Sequence, residues 1–70
     1  MTPAEYREAL ETLAWTPGAL SRVLGCHRNL CLQWGTGRAQ VPAPVAAWLA
    51  GLARAHRALT VPDWRTRSAA

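Results

Sequence analysis

The sequence lacks lysine and is poor in acidic residues, with only four in 70 positions. Three of these carboxylates, Glu5, Glu8 and Glu11, fall on one predicted helix, which leaves little material for paired acid–base chemistry. No serine or cysteine stands with a plausible base and an orienting acid. We therefore predict that the protein is not an enzyme and has no catalytic residues.

Long apolar runs are also missing. No stretch approaches the roughly 20 apolar residues that a membrane-spanning helix needs. Glu5 and Glu8 occupy positions where a signal peptide would have its apolar core. We therefore expect no membrane partner and a cytoplasmic location, in a bacterium or a phage-infected cell.

Cysteine and histidine are scarce, with two residues of each. Cys26, His27, Cys31 and His56 have a spacing that matches no compact zinc site, so we predict no metal and no other cofactor. In a reducing compartment both thiols should stay free. The simplest interpretation of Cys26 and Cys31 is a buried thiol pair at the start of a helix, and a redox switch between them is the alternative.

The charge that is present is segregated. All eight basic residues are arginine, and the formal net charge is +4. Residues 16–38 contain three arginines and no acid, whereas three of the four acids lie near the N-terminus. A segregated basic surface indicates a polyanionic partner. A high-GC codon bias would explain why arginine replaces lysine, but not why the charges separate.

The apolar residues recur at helical spacing in four segments, which predict helices near residues 3–14, 17–24, 28–35 and 44–59. We therefore expect an all-α, compact four-helix domain over residues 1–60, followed by a short extended tail at 61–70. The predicted inner faces comprise Tyr6, Ala9, Leu10, Leu13, Ala19, Leu20, Val23, Leu24, Leu30, Cys31, Trp34, Val45, Trp48, Leu49, Leu52, His56 and Leu59. Seventy residues form one small domain of marginal stability, which favours dimerisation.

The second and third predicted helices are joined by a tight turn at Gly25. Thr16 can cap the first of these helices, and Pro17 suits its first position. Glycine commonly closes a helix in a left-handed conformation. Ala19 is small enough to let the two helices cross closely, and the result is a helix-turn-helix.

Several interlocking positions of this stretch form a further pattern: Ala19, Leu20, Leu24-Gly25, Cys26-His27, Cys31-x-x-Trp34 and Gly37-Arg38. The stretch thereby resembles the helix-turn-helix of the Cro/C1 (xenobiotic-response-element type) family of phage and bacterial regulators. The resemblance extends from Met1 to about Leu59. It implies a lambda-repressor-like fold and a small dimeric repressor of the kind found in phages and mobile elements, such as the Cro-like and anti-CRISPR-associated regulators.

The sequence departs from that family at two positions. Pro17 stands where the family usually has a glutamine that braces the recognition helix or contacts phosphate. His27 stands where the family has a serine or threonine cap, and histidine is a poor cap. His27 could instead contact a phosphate, or favour DNA binding when it is protonated.

The outward residues of the third predicted helix match the chemistry of base recognition. Arginine pairs with guanine, asparagine and glutamine pair with adenine, and an apolar group can contact the thymine methyl. The predicted base-contacting residues are Arg28, Asn29, Leu32 and Gln33, and the predicted phosphate-contacting residues are Thr16, Arg22, His27, Thr36 and Arg38. An ordinary solvated helix face is the alternative, and for Arg22 it has nearly equal weight.

A single recognition helix reads only a few base pairs, so we expect a homodimer on a palindromic operator. The predicted dimer contacts are Trp48, Leu52, Leu59, Val61 and Trp64, which could instead complete the monomer core. Gly51, inside the last helix, indicates close approach of a backbone, within the fold or across the dimer. The predicted function is sequence-specific binding of double-stranded DNA by a repressor without a small-molecule ligand. A protein-interaction adaptor or antitoxin, and non-specific nucleic-acid binding, are the alternatives.

Overall fold

The computed structural model describes residues 1–59 and 61–62. Over this part the chain forms α1 (Pro3–Leu13), α2 (Pro17–Leu24), α3 (Arg28–Thr36) and α4 (Ala43–Ala58), and these residues contain no strand. The prediction of an all-α, four-helix domain is confirmed, and the predicted helix bounds differ from the observed ones by one residue at most. The predictions for Trp64 and for most of the tail lie outside the described residues.

Local sequence signals explain where the first two helices begin. At α1 the Glu5 N–H donates to the Thr2 hydroxyl at 3.1 Å, and the Thr2 N–H donates to the Glu5 carboxylate at 2.7 Å, which is a reciprocal capping box. At α2 the Thr16 hydroxyl accepts from the Ala19 N–H at 3.1 Å. Proline occupies the first position of both helices, where an N–H would have no partner.

Left-handed residues end the first three helices. Gly25 closes α2 with φ 70° and Gly37 closes α3 with φ 84°, as glycine allows. Ala14 closes α1 with φ 58°, although its Cβ disfavours this conformation. The sequence analysis identified Gly25 as a helix end but gave no such signal at Ala14.

The core lies where α1 packs against α3 and α4, and where α2 packs against α3. Its fully buried large side chains are Tyr6, Leu20, Cys31 and Leu49. Ala9, Leu10 and Trp34 are also buried, as predicted, while Leu13, Leu24 and Val45 pack at its edge. Val41 and Ala53 join the buried set without having been predicted there.

Some residues predicted to be buried are instead exposed. On α2 the core lies beside Leu20 and Ser21, so Val23 points outward and is 57% exposed. On α3 the buried side is set by Cys31 and Trp34, which leaves Leu30 at the margin.

Two residues predicted to be buried at the end of α4 are also exposed. His56 and Leu59 are exposed because α1 ends at Leu13, so the last turn of α4 extends past its neighbour. Arg57, in the same turn, already reaches the Thr12 hydroxyl at 3.4 Å.

The small buried residue of α2 is Ser21 and not the predicted Ala19. Ala19 was predicted as the small residue at the crossing of α2 and α3, but it is only half-buried. Ser21 is the buried small residue of α2, and its hydroxyl donates to the Gly18 carbonyl at 2.7 Å. This local bond satisfies the hydroxyl and allows it to be buried.

Candidate nucleic-acid interface

The buried side of α3 is held by α1. The Tyr6 hydroxyl donates to the Cys31 carbonyl at 2.8 Å, and the Tyr6 ring meets Trp34 edge-to-face with centroids 5.9 Å apart. The Arg7 guanidinium donates to the Gly35 carbonyl near the end of α3. Burial raises the pKa of the Tyr6 hydroxyl, so it stays protonated as a donor. These contacts turn the opposite side of α3 toward solvent.

That outward side contains most of the predicted DNA contacts. Its residues border one shallow surface groove of about 340 Å³, which contains no acidic side chain. The groove is lined by Asn29, Leu32, Gln33, Thr36 and Arg38. All five are exposed, and Leu32 is an exposed large apolar side chain at 41%. Three predicted base contacts and two predicted phosphate contacts therefore lie together.

Arg28 does not line this groove, and its side chain lies beside Gly18 in α2. A Cβ placed on Gly18 would be 3.4 Å from Arg28 Cδ and 3.8 Å from the Thr16 hydroxyl oxygen. The Arg28 side chain therefore crosses the first turn of α2, where the helix dipole is positive. The structure groups Arg28 with a predicted phosphate contact, Thr16, more closely than with the groove residues.

The first turn of α2 offers less to an anion than the sequence indicates. Pro17 has no N–H, and the Ala19 N–H already donates to Thr16. Among the described residues, the Gly18 N–H is the one donor of this turn without a hydrogen bond. An anion here would meet that N–H and the neighbouring Arg28.

His27 does cap α3, contrary to expectation. Its Nδ1 accepts from the Asn29 N–H at 3.1 Å, and the residue itself is exposed. An accepting Nδ1 carries no proton, so the neutral ring has its proton on Nε2, where it can donate to a phosphate. Protonation of Nδ1 would remove the cap, which weighs against the expectation that the charged ring favours binding.

The end of α3 is fixed around one carbonyl. The Arg38 N–H donates to the Gln33 carbonyl at 3.0 Å, and the Thr36 hydroxyl donates to the same carbonyl at 3.2 Å. Thr36 thus uses its hydroxyl proton inside the helix, which weakens the expectation that it donates to phosphate. Arg38 keeps its guanidinium exposed at the groove.

Arg22 is exposed in the last turn of α2 and does not line the groove. The structure therefore does not bring it to the face that the other contacts share. An adjoining groove of about 400 Å³ lies between α1 and α3 and has mostly apolar walls. Glu11 is the acidic residue in its lining and bounds the α3 face on that side.

The two cysteines form the predicted thiol pair. Their Sγ atoms are 3.6 Å apart, Cys31 is fully buried, Cys26 is half-buried, and both are free. Burial, followed by the neighbouring Cys26, raises the pKa of Cys31 to about 11. The pair joins the turn before α3 to the core. Among the described residues no three metal-ligating side chains cluster.

The predicted dimer residues leave apolar surface on α4 and on the residues that follow it. Trp48 is 38% exposed and packs against Trp15 with ring centroids 6.1 Å apart. Leu52 is half-buried, while Leu59 and Val61 are 79% and 82% exposed. Leu59 and Val61 therefore do not complete the monomer core. Trp64 lies outside the described residues.

Arg7 positions the face without having been predicted to do so. Its guanidinium, on α1, donates to the Gly35 carbonyl of α3. Periodicity does not predict such a contact, because the contact depends on how the two helices cross.

Comparison with known proteins gives no match to a protein-family model, a curated protein or a solved structure. Within the part of the chain that the structure describes, no helix is both long and apolar enough to cross a membrane.

Proposed function

We propose that the protein binds double-stranded DNA sequence-specifically through the outer face of α3 and acts as a small transcriptional repressor. The observation that supports this most strongly is the acid-free groove at Asn29, Leu32, Gln33 and Arg38. Amide, apolar and guanidinium groups together on one exposed helix face are what reading of a major groove requires. The resemblance to the Cro/C1 family adds support, since it assigns the same face of the same helix.

The base contacts follow from the chemistry of each side chain. Asn29 and Gln33 each present an amide that can pair with N6 and N7 of adenine, and Leu32 between them can contact a thymine methyl. Asn29 is in the first turn of α3, and residues near the start of a recognition helix reach base edges in this docking mode. Arg28, at the start of the same helix, can reach guanine or the flanking phosphate.

The phosphate contacts surround this face. At the start of α3 are the Gly18 N–H, Arg28 and His27 Nε2, and at its end is Arg38. All acidic residues in the described part of the chain belong to α1, so DNA on α3 would meet repulsion only at Glu11. Two copies on an inverted repeat would double the reading length and cover a promoter. Such a regulator acts in the cytoplasm and associates with the nucleoid when bound.

The test is selection of binding sequences from a random duplex pool, beginning with the DNA upstream of the protein's own gene, followed by gel shifts. Gln33→Ala should weaken binding of the selected site by about 1–3 kcal/mol and relax the preference at one base pair. Gln40→Ala is the matched control, because Gln40 is an exposed glutamine outside the groove. Equal affinity for selected and scrambled duplexes would contradict the proposal and indicate non-specific binding.

A protein-interaction adaptor or antitoxin with the same fold is the second candidate. The exposed Leu59 and Val61 favour it, since such side chains suit a protein partner. The double change Arg28→Ala with Gln33→Ala separates the two functions. Loss of duplex binding by a folded variant supports the regulator, whereas unchanged function in cells supports the adaptor.

A further inference from the structure

Helix α4 is apolar on more sides than its core contacts explain. Of its 16 residues only Arg54 and Arg57 are permanently charged. Leu49 and Ala53 form its buried side, yet apolar side chains continue around the helix onto exposed positions. A helix that is hydrophobic nearly all round is normally covered on more than one side.

Apolar residues on one side of α4 and at its C-cap follow a regular spacing. Trp48, the half-buried Leu52 and Ala55 lie in α4, and Leu59 is its C-cap. They are separated by four, three and four residues, and we call this row the α4 seam. Alternating steps of three and four place side chains along one line of a helix and are typical of helix pairing. Within the seam Ala55 is exposed, Trp48 is 38% exposed and Leu59 is 79% exposed.

Gly51 lies beside this seam, next to Trp48 and Ala55 in the helical surface. A Cβ placed on Gly51 would have no neighbouring atom within 4 Å. The sequence offered two explanations for this glycine, and close approach of a backbone within the described fold is therefore not the correct one. A glycine inside a helix costs up to about 1 kcal/mol relative to alanine. Among the residues that the structure describes, no packed neighbour at this position compensates for the cost.

We infer that the α4 seam is the docking surface for a second copy of this chain, with the two α4 helices crossing antiparallel beside Gly51. Around a two-fold axis at this point, Trp48 is three residues before the crossing and Ala55 is four residues after it. Each Trp48 therefore faces Ala55 of the partner subunit, so a large side chain meets a small one twice. The missing side chain at Gly51 lets the backbones approach.

Charge favours a second copy over other occupants. The chain has a net charge of +4, so two copies repel unless they meet through a face without cations. The seam is such a face, because Arg54 and Arg57 are on the other side of α4, in or near the groove with Glu5 and Glu8. A strongly acidic protein partner would find no cation in the seam to pair with.

The inference deepens the proposed function, since a paired α4 would supply the two copies that an inverted repeat needs. The contact itself is tested without DNA. Sedimentation equilibrium and light scattering of the full chain should give twice the monomer mass. Ala55→Arg should give the monomer mass and raise the dimer dissociation constant by about a hundredfold or more, because each added charge would be buried, without a partner of opposite sign, against Trp48 of the partner subunit.

Ala50→Arg is the matched control. It adds the same charge to another exposed alanine of α4, but on the side that faces Glu5 and Glu8. This variant should remain dimeric. Gly51→Leu is a second variant, at a position where an added Cβ has no neighbouring atom of the described residues within 4 Å. It should keep or raise the helical stability while it weakens the dimer.

Three outcomes would overturn the inference: a wild-type chain that sediments as a monomer, an Ala55→Arg chain that stays dimeric, or equal dissociation of the two arginine variants. The first of these would leave the seam to the C-terminal tail or to another protein. A dimer that binds no duplex would contradict the proposed function alone. A wild-type monomer that still selects a half-site would contradict the α4 contact alone.

Discussion

At the scale of single residues, the backbone of Ala14 is the least expected feature. An L-residue with a left-handed backbone carries a penalty of about 1–2 kcal/mol, and yet Ala14 ends α1 in this conformation with φ 58°. Gly25 has nearly the same conformation, and a Cβ there would have no neighbour within 4 Å. Exchanging alanine and glycine at these two positions should therefore change the stability through the backbone conformation alone, without gain or loss of side-chain contacts.

Ala14→Gly should stabilise the protein by about 1 kcal/mol, which is the penalty of an L-residue in the left-handed conformation less the entropy that glycine adds to the unfolded chain. In a domain of this size that corresponds to a rise of about 4–8 °C in Tm. Gly25→Ala is the reverse change and should lower Tm by a similar amount. Thermal unfolding followed by circular dichroism measures both, and shifts of the same sign would contradict the explanation.

The two thiols should differ in reactivity. The thiolate is the reacting species, and burial raises the pKa of Cys31 to about 11, so few Cys31 thiolates exist near neutral pH. We expect iodoacetamide at pH 8 to label Cys26 first and Cys31 only after unfolding. Mass spectrometry of peptides from native and urea-treated protein locates the label. Rapid labelling of Cys31 in the native protein would instead favour the redox-switch alternative.

At the scale of helices, the sequence predicts existence and bounds well because caps are local. Thr2, Thr16 and Gly25 act within one turn of themselves, so their roles can be predicted without the fold. Burial could be predicted less well. Val23 and Leu59 are apolar at helical spacing, but their exposure depends on where the neighbouring helices lie and end.

In the candidate site too, some features could be predicted from local sequence and others depend on how the helices pack. The outward direction of Asn29 and Gln33 follows from the periodicity of α3, and the structure agrees. The position of Arg28 beside Gly18 depends on the crossing of α2 and α3, which periodicity does not contain. The cap at His27 depends on one ring rotation and could not be predicted from residue type.

The capping box of α1 should make stability depend on pH. Hydrogen bonds from the Thr2 backbone and side chain lower the pKa of Glu5, so the folded protein holds this proton less tightly than the unfolded chain. The stabilisation is present above the ordinary carboxylate pKa and is lost as pH falls through the lower folded value. Tm should therefore fall on acidification. Glu5→Gln keeps the cap without the charge and should show a smaller fall, and an equal fall in both proteins would contradict this assignment.

At the scale of the whole molecule, the acids of the described residues all lie on α1, and only Glu11 borders the proposed DNA face. Glu5, Glu8 and Glu11 lie on α1, while Arg38 borders the α3 groove. Arg54 lies on α4, in the groove that α4 forms with α1. With a duplex on α3, some arginines would therefore contact phosphates and displace the cations condensed on them, and others would not.

Arg38→Gln should reduce the slope of log affinity against log salt by about 0.9 per binding copy, because each phosphate contact releases about that many counterions. Arg54→Gln is the control with the same change in net charge and should leave the slope nearly unaltered. Gel shifts or fluorescence anisotropy over a range of salt concentrations give both slopes. Equal reductions would indicate diffuse attraction and no docked α3.

The bond between the Tyr6 hydroxyl and the Cys31 carbonyl fixes how far α3 is rotated about its own axis. An α-helix with only apolar packing on one side can roll by some degrees at little cost, and such a roll would shift every amide on the opposite side relative to the bases. Tyr6→Phe should thus keep the core and lose about 0.5–1.5 kcal/mol of stability. Under the proposed function its larger effect should be on discrimination between DNA sequences, measured as the ratio of affinities for selected and scrambled duplexes, since that discrimination would depend on this angular setting more than on the stability of the fold.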